Sequence, residues 1–150
     1  MIRVQTQDFD TGAEIEALRA GRTDAGAIVA FVGTVREMAR NGAITAMTLE
    51  HYPGMTEKEL ARIEAAARER WPLLDTLVIH RVGRLAPGDN IVLVVTLSAH
   101  RQAAFEAAQF LMDYLKANAP FWKTEETAGG SHWVAAKESD EADAARWAKQ

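Results

Sequence analysis

The stretch from Ser98 to Glu125 places a strand, a helix and a second extended segment in direct succession, and it limits the possible folds more than any other part of the chain. The apolar run Ile91–Leu97 predicts a strand, and the helix that follows Ser98 begins without a connecting loop. Pro120 ends the helical pattern, and alternation of a strand begins after it. This order predicts a helix packed directly on a sheet.

The helix in this stretch has an apolar face that ends in a lysine. The face consists, at helical spacing, of Phe105, Ala108, Met112 and Lys116. The stem of Lys116 can be buried while its ammonium group reaches the edge of a cavity. The alternative is a surface lysine favoured by the negative end of the helix dipole. Spacing alone leaves both open.

His100 and Arg101 lie where the same helix begins. The helix dipole disfavours a cation at this end, whereas the free backbone N–H groups there favour an anion. Two basic residues at this position predict a bound phosphate or carboxylate. The alternative is that Arg101 turns away and pairs with an acidic residue at the surface.

After Pro120, the alternation of a strand places successive residues on opposite faces. It places Phe121, Lys123 and Glu125 on one side, with Trp122 and Thr124 on the other. Lys123 and Glu125 can then act as a pair in which the carboxylate orients the ammonium group.

The remaining pattern predicts the order β-α-β-β-α-β-β-α-β-β, in an α+β fold with a largely antiparallel sheet and packed helices. Ala27–Val35 is predicted as a strand covered on both faces, with close backbone approach or a bulge at Gly33. It ends in Thr34, Val35 and Arg36. Arg36 is a candidate anion ligand, or else a solvated arginine that opens a loop.

Local signals predict the ends of the other elements. The first helix is capped by Asp10 or by Thr11 with Glu14, and Thr56 with Glu59 forms a second capping box. Asn41-Gly42 is typical of a hairpin tip, inside a loop at 37–43. A strand over 132–137 follows the turn at Gly129-Gly130. Residues 138–150 are predicted to be a charged tail with weak helical character around Trp147.

Composition limits the possible functions. The 150 residues predict one domain spanning 1–150, and a net charge of −4 argues against a general binder of nucleic acid or of anionic membranes. There is no cysteine, so sulfur chemistry needs sulfur that arrives on another molecule. No metal or cofactor is predicted, since the four histidines lack zinc-ligand spacing. Without a membrane span or signal segment, we expect a cytoplasmic protein.

Several separated motifs match one known family in order and spacing. They are GAIVAFVGTVRE, LEHYPGMTEKEL, HRVGRLAPGD, HRQAAFEAAQFLMDYLK and PFWKTE. Together they cover nearly the whole chain, and they resemble the large, catalytic subunit of molybdopterin synthase, the MoaE family. The resemblance implies an alpha/beta hammerhead fold, a homodimer and a heterotetramer with a small ubiquitin-like sulfur carrier subunit. It also implies that sulfur from the carrier's Gly-Gly thiocarboxylate converts cyclic pyranopterin monophosphate (precursor Z) to molybdopterin in two transfers.

The resemblance also assigns residues. It makes Lys116 and Lys123 catalytic, and Phe31, Phe105 and Met112 part of the pocket lining. The substrate-binding residues implied are Thr34, Val35, Arg36, His100, Arg101, Lys116, Lys123, Thr124 and Glu125. It assigns no certain role to Lys137, and pocket residues shared across the dimer are compatible with it. Composition alone is also compatible with two other functions: a non-catalytic module that docks a ubiquitin-like tail, and an unrelated phosphate-ligand enzyme with His100 as general base.

Overall fold

The computed structural model describes residues 1–39, 42–134 and 138–148. Its nine strands within these ranges are β1 (Ile2–Gln5), β2 (Ala27–Thr34), β3 (Met38–Ala39), β4 (Gly42–His51), β5 (Leu73–Arg81), β6 (Gly83–Leu85), β7 (Asn90–Ser98), β8 (Phe121–Thr127) and β9 (Gly130–Val134). The helices described are α1 (Thr11–Arg19), α2 (Met55–Arg70), α3 (Arg101–Asn118) and α4 (Glu138–Ala148). Asn41 of the predicted hairpin and Lys137 lie outside the described residues.

The strands are largely antiparallel, as predicted, but they form two sheets where the sequence pattern predicts one. The first has the order β1-β5-β7-β2, in which β1 and β5 run parallel and the other neighbours antiparallel. The second has the order β3-β4-β8-β9, with β6 also paired to β4, and all its described pairings are antiparallel. With helices packed on the first sheet, the predicted α+β, hammerhead-like fold is confirmed.

Strand β7 is one of the two central strands of the first sheet and has apolar residues on both faces. Val92 and Val94 belong to a cluster with residues of α2, α3 and α4, whereas Leu93 and Val95 pack on the side of α1. This alternation follows from the period of two in a strand. The helices on one face of the first sheet therefore include α3, which packs against β7. The C-terminal end of α3 lies close to the second sheet.

The prediction that β2 is covered on both faces is wrong. In this chain β2 is an edge strand, paired to β7 on one side. Phe31 and Val32 are 42% and 37% exposed. A continuous apolar run does not distinguish a central strand from an edge strand. Both have at least one buried face, and hydrophobicity does not show how many strands pair with the segment.

The first helix is capped by one of the two predicted residues. The Asp10 side chain accepts the N–H of Ala13 at 3.0 Å. Glu14 does not complete a capping box with Thr11, because it accepts a hydrogen bond from Arg3 of β1. This ion pair fixes α1 to the edge of the first sheet.

The predicted capping box at the start of α2 is wrong by two residues. Glu57 accepts the N–H of Gly54 at 2.5 Å, and Glu59 instead forms an ion pair along the helix. Thr56 is fully buried, and its hydroxyl donates to the carbonyl of Pro120 at 3.1 Å. The second helix is therefore joined to the segment between α3 and β8.

Residues 138–148 form a packed helix, which confirms the predicted helical character around Trp147 and corrects the prediction that the segment is a charged tail. Trp147 is 6% exposed, and its Nε1–H donates to the Asp113 carboxylate of α3 at 2.7 Å. Arg146 donates to the same carboxylate at 2.6 Å. The many charged residues of this segment concealed a short apolar face, formed by Ala144 and Trp147.

Candidate active site

A cavity of about 490 Å³ lies where the end of β2, the end of α3 and the start of β8 meet. Most of its lining residues are apolar, and the volume is within the usual range for small-molecule sites. Six ionisable side chains also line it: Arg36, His80, Lys116, Lys123, Glu125 and Asp140. The cavity therefore combines apolar walls with three basic side chains, those of Arg36, Lys116 and Lys123, and with two carboxyl side chains.

The end of β2 directs Arg36 to this cavity. A Cβ on Gly33 would lie 2.7 Å from Cγ1 of Val92, and the β2–β7 register shifts between Gly33 and Thr34. The predicted bulge at Gly33 is confirmed, whereas the close approach is made by the side chain of Val92 and not by backbone. Val35 is buried, and its N–H donates to Asp89 O at 2.9 Å. These contacts fix the backbone on the N-terminal side of Arg36.

The last turn of α3 brings Lys116 to the same cavity. Met112, one turn earlier, is 8% exposed and also lines it, as predicted. Lys116 is exposed, whereas Met112 is buried, so the ammonium group of Lys116 is accessible at the edge of the cavity. The prediction that Lys116 reaches the edge of a cavity is confirmed, and its position near the helix C-terminus is also favourable for a cation.

Strand β8 supplies the opposite wall through alternate residues. Phe121, Lys123 and Glu125 all line the cavity, which confirms the predicted alternation. Glu125 is 4% exposed, whereas Trp122, on the other face, is 43% exposed. Thr124 also lies on the other face and does not line the cavity, so its predicted place in the site is not supported by this geometry.

His80 of β5 is a cavity residue that sequence reasoning missed. Its ring stacks on Phe121 with centroids 3.8 Å apart and planes inclined by 17°. Nδ1–H donates to Arg81 O at 2.8 Å, because a carbonyl oxygen can only accept. Burial lowers the pKa of His80 to about 4; the charge of Lys116 acts in the same direction, whereas the hydrogen bond to Arg81 opposes it.

Three predicted residues lie at the far end of α3. The rise of a helix places Arg101 about 22 Å from Lys116 along the axis. His100 precedes Arg101, and neither residue lines the cavity. Phe105 is 61% exposed and does not line it either, so its prediction as pocket lining is wrong for the single chain. Helical spacing identified the correct face but not where along the helix the neighbouring sheet ends.

Asp140 of α4 was also missed as a cavity residue. It lies in the segment predicted as a tail, and only the packing of α4 on α3 brings it to the cavity. No sequence motif marks it. In the part of the chain that the structure describes, no group of three or more His, Asp or Glu side chains is arranged to hold a metal ion. No helix within the described ranges is both long and apolar enough to span a membrane.

Comparison with known proteins decides the family. Residues 4–118 match the family described as MoaE protein. The chain belongs to the MoaE family. A molybdopterin synthase catalytic subunit from Ralstonia nicotianae is 60% identical over 146 residues, which cover 97% of this chain and 83% of that relative. The resemblance predicted from the motifs is therefore confirmed, and this MoaE chain is an enzyme of molybdenum cofactor biosynthesis.

Solved structures agree with the MoaE assignment. The molybdopterin biosynthesis MoaE protein from Burkholderia ambifaria has a TM-score of 0.85 to this chain at 53% identity, covering 99% of this chain and 97% of that one. A complex of subunits 1 and 2 of molybdopterin-converting factor from Helicobacter pylori has a TM-score of 0.72 at 23% identity, covering 91% and 90% of the two chains. The second comparison shows that the fold is shared at low sequence identity.

Proposed function

We propose that this chain transfers sulfur from the C-terminal thiocarboxylate of a small ubiquitin-like carrier to cyclic pyranopterin monophosphate, and that two such transfers produce molybdopterin. The observation that carries the proposal is the convergence of Arg36, Lys116 and Lys123 on one apolar-walled cavity. A phosphate-bearing substrate and an anionic chain end both require cations held at fixed positions.

The carrier is the source of sulfur in this proposal. The chain contains no cysteine, so it has no thiol of its own to donate. The Helicobacter pylori relative forms a complex of two subunits, and an equivalent small subunit is the proposed partner here. Phe31, at the open edge of β2, lines the cavity and supplies an apolar contact for the entering tail.

The two lysines have different proposed roles. In each transfer the sulfur of the carrier thiocarboxylate forms a bond to a carbon of the pterin side chain, and an oxygen substituent leaves that carbon. Water then attacks the carbonyl carbon of the resulting thioester, and the bond between this carbon and sulfur breaks, which leaves the sulfur on the pterin and a carboxylate on the carrier. Lys116 stabilises the negative charge of the tetrahedral intermediate on this path and transfers protons. Lys123, oriented by Glu125, aligns the pterin. Arg36 binds the substrate phosphate.

A homodimer is proposed because one chain cannot place all predicted ligands in one site. His100 and Arg101 lie about 22 Å along α3 from Lys116. The second copy of the chain is proposed to bring its own His100 and Arg101 to the cavity of the first. The exposed ring of Phe105, one turn from Arg101, supports a covering partner at this end of the helix. With two carriers, the assembly is a heterotetramer, and its expected cytoplasmic location stays a prediction.

The decisive experiment reconstitutes the reaction with precursor Z and a thiocarboxylated carrier. Wild type is compared with Lys116→Ala and with Lys58→Ala, a control lysine on α2 that does not line the cavity. We expect molybdopterin from wild type and Lys58→Ala, and a loss of about 100- to 1,000-fold in Lys116→Ala with carrier binding retained.

The other outcomes identify other functions. Carrier binding without any product from the wild type would indicate a non-catalytic docking module. Turnover of a phosphate ligand without the carrier would indicate an unrelated enzyme. Equal turnover by Lys116→Ala and wild type would keep the sulfur transfer but assign the catalytic role to Lys123 or Arg36.

A further inference from the structure

His80 is a buried cavity residue to which the proposed function gives no role. It is 5% exposed and lies near the end of β5, in the first sheet. Its ring lies flat against that of Phe121, the first residue of β8, with centroids 3.8 Å apart. This stack connects the first sheet directly to the strand that carries Lys123.

The orientation of the imidazole is fixed by a second contact. Nδ1–H donates to the carbonyl of Arg81 at 2.8 Å, which restricts rotation of the ring about its side-chain bonds. Because burial lowers the pKa of His80 to about 4, the ring is uncharged at neutral pH. It therefore packs against Phe121 without adding a further positive charge near Lys116 and His51, whose charges disfavour its protonation.

Phe121 occupies the junction between the two proposed catalytic lysines. It is the fifth residue after Lys116 and the second before Lys123. Its N–H donates to Ala119 O at 2.9 Å, and the carbonyl of Pro120 accepts from the buried hydroxyl of Thr56 at 3.1 Å. These bonds fix the backbone of the junction, and the stack on His80 fixes the side chain that begins β8.

We propose that His80 is a positioning residue that sets the distance between the amino groups of Lys116 and Lys123 by holding Phe121 in place. Its effect on turnover rests on the proposed function, but its effect on the lysine spacing does not. A displacement of about 1 Å in a catalytic group can reduce turnover by about 100-fold, so a small movement of β8 is sufficient to be measured.

Two substitutions of His80 test its two contacts one at a time. His80→Asn keeps a side-chain N–H for the Arg81 carbonyl but removes the ring that stacks on Phe121. His80→Phe keeps a ring and removes the N–H. If the stack positions the lysines, His80→Asn lowers kcat by about 10- to 100-fold with little change in KM for the carrier, while His80→Phe stays within about threefold of wild type.

A second measurement reports the spacing without any turnover. We expect a short amine-reactive cross-linker to join Lys116 to Lys123 in the wild type, because both line the same cavity, and mass spectrometry measures the yield. We expect this yield to fall in His80→Asn and to be retained in His80→Phe. Phe121→Leu removes the other half of the stack and should lose the same cross-link, which keeps the test decisive if His80→Asn does not fold.

The outcomes are distinguishable from failure of the proposed function. A wild type that makes no molybdopterin overturns the sulfur transfer but leaves the cross-linking test intact. Wild-type cross-link yield and kcat in folded His80→Asn would overturn the positioning role. A purely structural histidine would lower the melting temperature of both variants while kcat per folded molecule remained at the wild-type value, and that result also overturns it.

Discussion

The two ends of α3 carry equally recognisable motifs but have different surroundings. At the C-terminal end, Lys116 joins a cavity whose opposite wall is β8. At the N-terminal end, Arg101 and Phe105 are exposed, and neither lines the cavity. At the C-terminal end, residues of the same chain enclose the site. The N-terminal end carries residues typical of a binding site, but the same chain does not enclose them in a cavity.

This difference shows what a single chain can and cannot assemble. A rigid helix of 18 residues keeps its two ends apart, and no local rearrangement brings them together. Either the N-terminal motif belongs to a separate surface, or a second copy of the chain uses it. The proposed homodimer corresponds to the second possibility.

The largest expected effect is on turnover, when substitutions at the two ends of α3 are combined in one dimer. Lys116→Ala and Arg101→Ala homodimers should each lose about 100- to 1,000-fold in turnover, since the first lacks the cation that stabilises the tetrahedral intermediate and the second lacks a cation that binds the substrate anion. A mixed dimer, purified through two different tags, should recover about half of wild-type activity, because one of its two shared sites has neither substitution. The measurement is turnover with saturating carrier.

The same mixed dimer can contradict the proposal. If Lys116 and Arg101 serve the same chain's site, each site of the mixed dimer contains one defect and activity remains as low as in the homodimers. Full activity in the Arg101→Ala homodimer would instead remove the N-terminal end of α3 from the reaction.

Two phenylalanines of α3 provide a matched comparison for stability. Phe110 is 2% exposed and makes an edge contact with Trp71, so Phe110→Ala should cost about 3 to 5 kcal/mol of unfolding free energy. Phe105 is 61% exposed, and Phe105→Ala should change it by less than about 0.5 kcal/mol. Urea denaturation at low protein concentration measures both. A large loss for Phe105→Ala that appears only at high concentration would place this residue in a subunit interface.

At the cavity end, His80 contributes a pH dependence to the free energy of unfolding. Its folded pKa of about 4 lies below the unfolded value of about 6.5. The unfolded chain therefore binds more protons between these values, and stability falls as pH decreases from about 6.5 to about 4. The total contribution is about 3 kcal/mol, fully present above the unfolded pKa.

The control for this titration is His80→Phe, which removes the titrating group but keeps a ring. The difference in unfolding free energy between wild type and this variant should change with pH across that window, whereas the contribution of the carboxylates cancels. A constant difference from pH 7 to pH 4 would show that His80 is not kept neutral by burial.

Local patterns predicted the parts of the site that depend on neighbouring residues. Alternation placed Lys123 and Glu125 together, helical spacing placed Lys116 on the apolar face, and Gly33 marked the close approach of β2 to β7. Each of these depends on the geometry of one element or one strand pair. The fold class followed from the order of such elements.

Longer-range features were not available from the sequence. His80 lies in the apolar pattern of β5, where a single histidine gives no sign of the partner ring across the fold. Asp140 reaches the cavity only because Trp147 and Asp113 fix α4 to α3. The exposure of Phe105 depends on where the neighbouring sheet ends. These are properties of tertiary packing, which element periodicity does not encode.

Because of the positions of the four tryptophans, fluorescence emission can report separately on the helical layer and on the second sheet. Trp71 and Trp147 pack in the helical layer, whereas Trp122 and Trp133 are exposed on the second sheet. Iodide in the solvent quenches the second pair and spares the buried Trp147. The quenched and unquenched parts of the signal can therefore show whether the sheet bearing Lys123 and the helices bearing Lys116 lose their structure at the same denaturant concentration.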